Sequence, residues 1–214
     1  WMPPSVTKIG MNAFADSQNL TKLKLPNSLQ EIGPGAFMRC KELESVIFPA
    51  NLQRLGTDCF KSSGLKSVVF REPTNNNLLI IENCAFLNCG QLKDVVLPSN
   101  LEEIGLRAFS NTAIEHITIP LKVTRIKPRC FESCYNLKTV DIRGNLTEIE
   151  RGTFLYCPRL ESVRLPETIR FIRDRAFENA ALQSINLGPN IEEIRRHAFN
   201  NSDLRRVNFP EKLL

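Results

Sequence analysis

Residues 85–98 read Ala85-Phe86-Leu87-Asn88-Cys89-Gly90-Gln91-Leu92-Lys93-Asp94-Val95-Val96-Leu97-Pro98, and the skeleton A-F-x-x-C-x-x-L-x-x-V-x-L-P within them recurs along the whole chain. Ala-Phe reappears at Ala13-Phe14, Ala36-Phe37, Ala108-Phe109, Ala176-Phe177 and Ala198-Phe199, and another small residue takes the Ala place at Cys59-Phe60, Cys130-Phe131 and Thr153-Phe154. Four positions before each small residue stands an aliphatic one: Ile9, Ile32, Leu55, Ile81, Ile104, Ile126, Ile149, Ile172 and Ile194, separated by 23, 23, 26, 23, 22, 23, 23 and 22 residues. A fixed period of this size marks a solenoid built from one repeated supersecondary unit. The 26-residue unit carries its extra residues around Thr74-Asn75-Asn76-Asn77, and the 22-residue units drop one residue after the Phe, as between Phe109 and Ile114. Length therefore varies in loops, while the apolar frame persists.

Each segment of the unit has its own physics. In L-x-x-V-x-L the last two apolar residues lie two apart, on one face of a strand. The Pro that follows has no N–H to give a ladder, so it ends the strand. The I-x-x-x-A-F segment spaces its apolar residues at helical separations, which predicts a short helix or 3-10 turn. A single unit cannot bury its apolar edge, but stacked units share a continuous core, with their strands side by side in a parallel sheet. Nine units at about 4.8 Å per strand make a slab roughly 40 Å long.

Composition fits this frame. The chain has 214 residues, 42% of them apolar, a net charge of +5, and no apolar run that approaches the length of a membrane-spanning helix. It holds 13 Phe against 2 Tyr and 1 Trp, and 7 Cys. Nine Phe occupy the one repeat position, Phe48, Phe70 and Phe209 replace the strand's last Leu, and Phe171 alone has no place in the pattern. Cys40, Cys89, Cys134 and Cys157 stand three after the Phe, and Cys59 and Cys130 replace the small Ala. These cysteines are expected to pack as small buried hydrophobes. Cys134 and Cys157, on adjacent units, are the pair nearest to disulfide geometry, and no second ligand pair or nearby His completes a zinc site. Neither a phosphate-binding Gly-rich loop nor a nucleophile elbow occurs. The only histidines, His116 and His197, fall at solvent-facing repeat positions. Sequons stand at Asn19, Asn145 and Asn200. No catalytic residue, cofactor or metal is expected.

The skeleton resembles leucine-rich repeats, specifically the BspA-like class of about 23 residues per unit, with Ala85-Phe86, Cys89, Leu92, Val95 and Leu97-Pro98 matching it almost residue for residue. The asparagine ladder of the commonest leucine-rich class is missing, and Pro-x-x stands in its place. The resemblance implies an α/β repeat solenoid, a right-handed curved solenoid with a parallel sheet on its concave face and short helical or 3-10 segments on its convex face. It implies one domain of about nine repeats over residues 1–214. Trp1-Met2-Pro3-Pro4 has the character of neither a signal nor a transit peptide, and neither end carries a polar capping unit, so a fragment of a longer protein is expected. The family consists of surface and secreted proteins of bacteria and protists. This implies a non-enzymatic recognition or adhesion module at the cell surface, binding a protein, matrix or glycan ligand on the concave face. The alternative is an intracellular scaffold or regulatory repeat domain joined to another domain. Neither a nucleic-acid partner nor membrane insertion is expected, and the oligomeric state is open.

On such a face, the residues either side of the central strand aliphatic point away from the core. The column before it reads Lys22, Ser45, Ser67, Asp94, His116, Thr139, Ser162, Ser184, Arg206, and the column after it Lys24, Ile47, Val69, Val96, Thr118, Asp141, Arg164, Asn186, Asn208. Ile47, Val69 and Val96 are consecutive in the second column, so in register they form an exposed aliphatic patch, a candidate contact. Asp94, His116, Thr118, Asp141 and Arg164 complete the candidate ligand-binding residues, with Asp141 and Arg164 placed to pair across neighbouring strands. Charge is uneven: residues 108–214 hold 17 Lys and Arg against 13 acids, and 13 of the 17 are Arg. Ile80 and Phe171 occupy a slot that is charged in most other units.

Overall fold

A computed structural model describes residues 2–208, so the last Phe-Pro pair, at Phe209-Pro210, lies outside the described residues. The chain winds through nine coils among these residues, one for each sequence unit. Two rows of parallel strands run along it. The first row is made of short strands: β1 (Lys8–Ile9), β2 (Glu31–Ile32), β4 (Arg54–Leu55), β6 (Leu79–Ile81), β8 (Leu101–Ile104), β10 (Arg125–Ile126), β12 (Glu148–Ile149), β14 (Phe171–Ile172) and β16 (Glu193–Ile194). The second row holds β3 (Ser45–Phe48), β5 (Ser67–Phe70), β7 (Asp94–Val96), β9 (His116–Ile119), β11 (Thr139–Ile142), β13 (Ser162–Arg164), β15 (Ser184–Asn186) and β17 (Arg206–Asn208). Both rows pair in repeat register, Ile47 opposite Val69 and Ile149 opposite Ile172.

Burial alternates along the longer strands, as in β3, where Ser45 and Ile47 are exposed while Val46 and Phe48 are buried. The inward residues and the repeat Phe residues form one continuous core. Nine Phe rings, from Phe14 to Phe199, stack in file with centroids 5.1 to 5.7 Å apart and planes within 15°. Offset stacks at this spacing stabilise beyond their area burial.

The segment between the two rows corrects the expectation of helix or 3-10 on that side: it is a run of turns. Two residues four apart in each coil hold left-handed backbone, for example Asp58 (φ 57°) and Ser62 (φ 57°), or Arg129 (φ 58°) and Ser133 (φ 59°). A right-handed helix cannot pass through such positions. The hydrogen bonds follow from this. Within coil three, Cys59, Lys61 and Ser63 donate locally to the carbonyls three back, while Asp58, Phe60 and Ser62 donate outward to Asn83, Ala85 and Leu87 of the next coil. Half the amides that a helix would satisfy internally thus bond coil to coil, giving the back of the solenoid a ladder of its own.

The consensus Cys has a matching role. The thiols of Cys40, Cys89, Cys134 and Cys157 donate to the Phe carbonyls of the preceding coil at 3.1 to 3.2 Å. Ser17, Ser63, Thr112 and Ser202 fill the same slot, so that every coil but the eighth, which has Ala180, places a small donor there. All seven cysteines are free and only Cys84 is not buried.

The longer-strand row falls into panels, β3-β5-β7, β9-β11-β13 and β15-β17. At the β7/β9 and β13/β15 junctions the strands lie alongside each other without ladder pairing. From Phe to the central strand aliphatic is nine residues in coils four and seven (Phe86 to Val95, Phe154 to Val163) but eight in coils five and eight (Phe109 to Ile117, Phe177 to Ile185). A short arm therefore follows a long one at each break. Coil three is also short after long, yet β5 pairs fully with β3. There Gly64 presses against coil two, donating to Cys40 O at 3.0 Å, and a Cβ on it would meet Lys41 O at 1.8 Å. Ala113 and Ala181 hold the equivalent places in coils five and eight, and their Cβ atoms forbid the same approach.

Candidate binding face

The outward columns of the longer-strand row sit where the alternation places them. Ile47, Val69 and Val96 are 53%, 47% and 67% exposed, and they stand side by side on β3, β5 and β7. Asp94, His116, Thr118 and Arg164 are exposed, and Asp141 is half-buried. His116 Nδ1 and Thr139 Oγ1 are 2.8 Å apart across adjacent strands. Asp141 accepts from Arg143 Nε at 2.7 Å, while Arg164 Nε lies 4.0 Å from its other oxygen. That other oxygen, Oδ1, is shielded from solvent and has no hydrogen-bond partner among the described residues. The Asp141–Arg164 pair expected from the columns is thus a loose one, of little energetic weight with Arg164 so exposed.

Grooves lie along this face, among them one of about 360 Å³ over Asp94, Val96 and His116 and two larger ones. One, of about 600 Å³, runs over the β7/β9 break and is lined by Val96, His116, Thr118, Leu121, Asp141 and Arg143 among others. It gathers four of the candidate residues, Val96, His116, Thr118 and Asp141, and adds Leu121, at 74% the most exposed large apolar side chain among the described residues. Leu121 follows the strand-ending Pro120, outside both columns, so alternation could not point to it. The other groove, of about 590 Å³, lies at the N-terminal end of the same face, over Ile47 and between Lys22, Lys24 and Arg71. Arg164 lines neither.

The face of the short-strand row is occupied by ion pairs. Glu31 lies between Lys8 at 3.0 Å and Arg54 at 3.8 Å, and Arg54 reaches on to Glu82 at 2.5 Å. Phe171, unplaced by the repeat, sits in this column beneath Arg173, whose guanidinium is 4.6 Å from the ring centroid and pairs with Glu148 and Glu193 on the flanking coils. The ring thus serves as a platform for the cation that ties three coils together. Ile80 in the same column is 37% exposed. Several arginines of the second half of the chain are engaged in ion pairs, Arg129 with Glu132, Arg170 with Glu192 and Arg175 with Glu178.

Among the described residues no cluster of His, Cys, Asp and Glu could hold a metal ion, and no helix is long and apolar enough to cross a membrane. Burial pushes the Cys89 and Cys134 thiols up to about 11 and holds Cys59, Cys130 and Cys157 well above their ordinary value. Thiols so shifted are poor nucleophiles.

This geometry recurs in solved proteins. The chain is similar to a leucine-rich repeat protein from Bacteroides ovatus, with 27% identity and a TM-score of 0.66 over 98% of this chain and 66% of that one. It is similar to the leucine-rich repeat protein TpLRR of T. pallidum, with 23% identity and a TM-score of 0.65 over 81% of this chain and 76% of that one. It is similar also to the pneumococcal vaccine antigen PcpA, with 21% identity and a TM-score of 0.56 over 97% of this chain and 61% of that one. It spans just under two thirds of the length of the Bacteroides and pneumococcal proteins. No curated protein matches the chain. The family model of the BspA type leucine rich repeat region matches in six copies, over residues 2–78, 73–183 and 147–214, a repeat scaffold and not a catalytic family. The chain belongs to the BspA-type leucine-rich repeat family.

Proposed function

We propose that this domain is a non-enzymatic recognition module of a cell-surface or secreted protein, and that it binds a protein ligand on the longer-strand face. The observation that carries this is the exposed file Ile47, Val69 and Val96 on three paired strands. The other aliphatics of strands β3 to β15 in this row are buried, and an apolar file in water rimmed by polar residues is the usual mark of a contact surface. Leu121 and the groove beside Val96 extend it, and Asp94, His116, Thr118, Asp141 and Arg164 supply polar contacts around it. Surface placement is supported by the family and by the description of PcpA as a vaccine antigen.

The test is selection of a phage-displayed random peptide library on the immobilised domain. The wild type is expected to recover peptides enriched in aliphatic residues, and Val69→Asp to lose that enrichment with its unfolding midpoint unchanged, because Val69 points away from the core. Equal recovery by both proteins would remove the file from the binding surface. The surface reading is separable from the intracellular one at the level of the gene. An encoded export signal or wall anchor supports it, and a fused cytosolic catalytic domain refutes it.

A further inference from the structure

The groove at the N-terminal end of the longer-strand face differs in charge from the one at the β7/β9 break. Glu72, Lys122, Asp141 and Arg143 give the latter both signs. The N-terminal groove is lined by three cations, Lys22, Lys24 and Arg71, and by no acid, over a floor that includes Leu23, Leu25 and Ile47. Lys22 forms no ion pair among the described residues, and Arg71 is held in place by a 2.9 Å bond from Nη1 to Asn27 Oδ1, a neutral acceptor that leaves its charge uncompensated. The acids nearest these residues in sequence are engaged elsewhere, Asp16 with Arg39, Glu31 with Lys8 at 3.0 Å and Glu72 with Ser99 at 2.6 Å. Ser45 and Thr21 add hydroxyls to the same lining. Ile47 is shared: it floors this groove and begins the exposed aliphatic file.

We propose that this groove is a carboxylate-accepting subsite. The partner is then a protein segment that places an acidic side chain among Lys22, Lys24 and Arg71 and runs on across the strands with aliphatic side chains over Ile47, Val69 and Val96. A guanidinium and an ammonium in one recess suit a carboxylate, and Lys22 and Arg71, which form no ion pair among the described residues, steer and select an anionic group. The adjoining file demands apolar side chains at steps of about 5 Å, the strand spacing. A sulfated glycan or nucleic acid offers charge at every step and nothing for the aliphatic file. This inference rests on the longer-strand face being the recognition surface and adds the chemistry of what it recognises.

The same library selection separates the two claims. Wild-type protein is expected to recover peptides in which Asp or Glu is enriched beside aliphatic residues. The double variant Lys22→Glu, Arg71→Glu is expected to lose the acidic enrichment and keep the aliphatic one. Both positions are exposed, so folding, followed by circular dichroism, is unaffected. By fluorescence anisotropy, the best wild-type peptide should bind the double variant at least about tenfold more weakly and weaken as salt is added. Aliphatic enrichment without acids overturns the subsite and leaves the recognition face standing. No enrichment of either kind counts against both. Tighter binding of heparin fragments or of oligonucleotides than of the best acidic peptide overturns the choice of partner.

Discussion

Coils three and five carry the same short arm between the Phe ring and the strand, and each follows a coil with the longer arm. They dock differently. In coil three, Gly64 lets the backbone sink onto coil two, its N–H reaches Cys40 O, and β5 pairs with β3 at four successive positions. In coil five the equivalent residue is Ala113, and β9 lies beside β7 without a ladder. One missing Cβ thus separates a closed junction from an open one. The difference reaches the binding face. The closed junction holds Ile47 and Val69 flush, whereas the open one lies under the groove where Val96, His116 and Thr118 meet.

The sharpest way to break the comparison is to add the Cβ. In Gly64→Ala the new carbon would lie 1.8 Å from Lys41 O, a backbone atom that cannot swing aside, so coil three must lift and give up ladder bonds. We expect a loss on the order of 3 kcal/mol, as for severe overpacking with broken hydrogen bonds, read by urea unfolding. Gly90 is the control. It stands at the same place in coil four, where the arm is long and nothing lies within 4 Å of a Cβ. Gly90→Ala should therefore be neutral or stabilise by up to about 1 kcal/mol through the unfolded chain. Equal costs at the two glycines would show that close approach is not what closes the junction.

A second measurement asks whether the open junction leaks. Cys89 and Cys134 lie in the coils on either side of coil five, both fully buried, with thiols raised to about 11 by desolvation. A raised folded pKa means stability that is intact below the ordinary value near 9 and lost as pH climbs through the folded value. Unfolding free energy should therefore fall between about pH 9 and 11, by at most about 3 kcal/mol for each thiol. Double replacement Cys89→Ser, Cys134→Ser should lessen that fall by the share of these two thiols, leaving the part due to Cys59, Cys130 and Cys157, and it should be tolerated because Ser63 and Thr112 already serve in the same slot. At neutral pH a thiol reagent should label Cys84 first and leave Cys89 and Cys134 untouched until denaturant is added. Rapid labelling of Cys89 would mean that the missing ladder opens the core as well as the sheet.

Much of the fold is legible in the sequence, and the gaps have physical causes. The repeat gives each outward column nine chances to be recognised, so period two alone places Ile47, Val69 and Val96 on the exposed side. The turn segment escapes because apolar spacing reports only which side chains point inward. What excludes helix there is left-handed backbone, and residues such as Arg129, Cys84 and Tyr156 adopt it without the glycine that would announce it. The short-strand row escapes because most of its strands have only two residues, which make no alternation, although the charged residue beside most of the aliphatics, such as Lys8, Glu31 and Arg54, is a usable signal. Leu121 and Arg71 stand beyond the strand ends, where no column runs, and join the face only when the coils stack.

The smallest effect is also the most specific to the comparison. Ala113→Gly removes the Cβ that keeps coil five off coil four, but it adds backbone freedom to the unfolded chain, which costs about 0.5 to 1 kcal/mol. Each new ladder bond returns a similar amount, so global stability should barely move. Local protection should move a great deal. In wild-type protein the amides of His116 and Thr118 face β7 without ladder partners, and hydrogen exchange there should be faster than at Ser67 and Val69 of β5, whose ladder is intact. In Ala113→Gly those two amides should slow toward the β5 rates while the rest of the core is unchanged. If they do not, arm length alone opens the junction, and Gly64 closes its own for a reason other than its missing side chain.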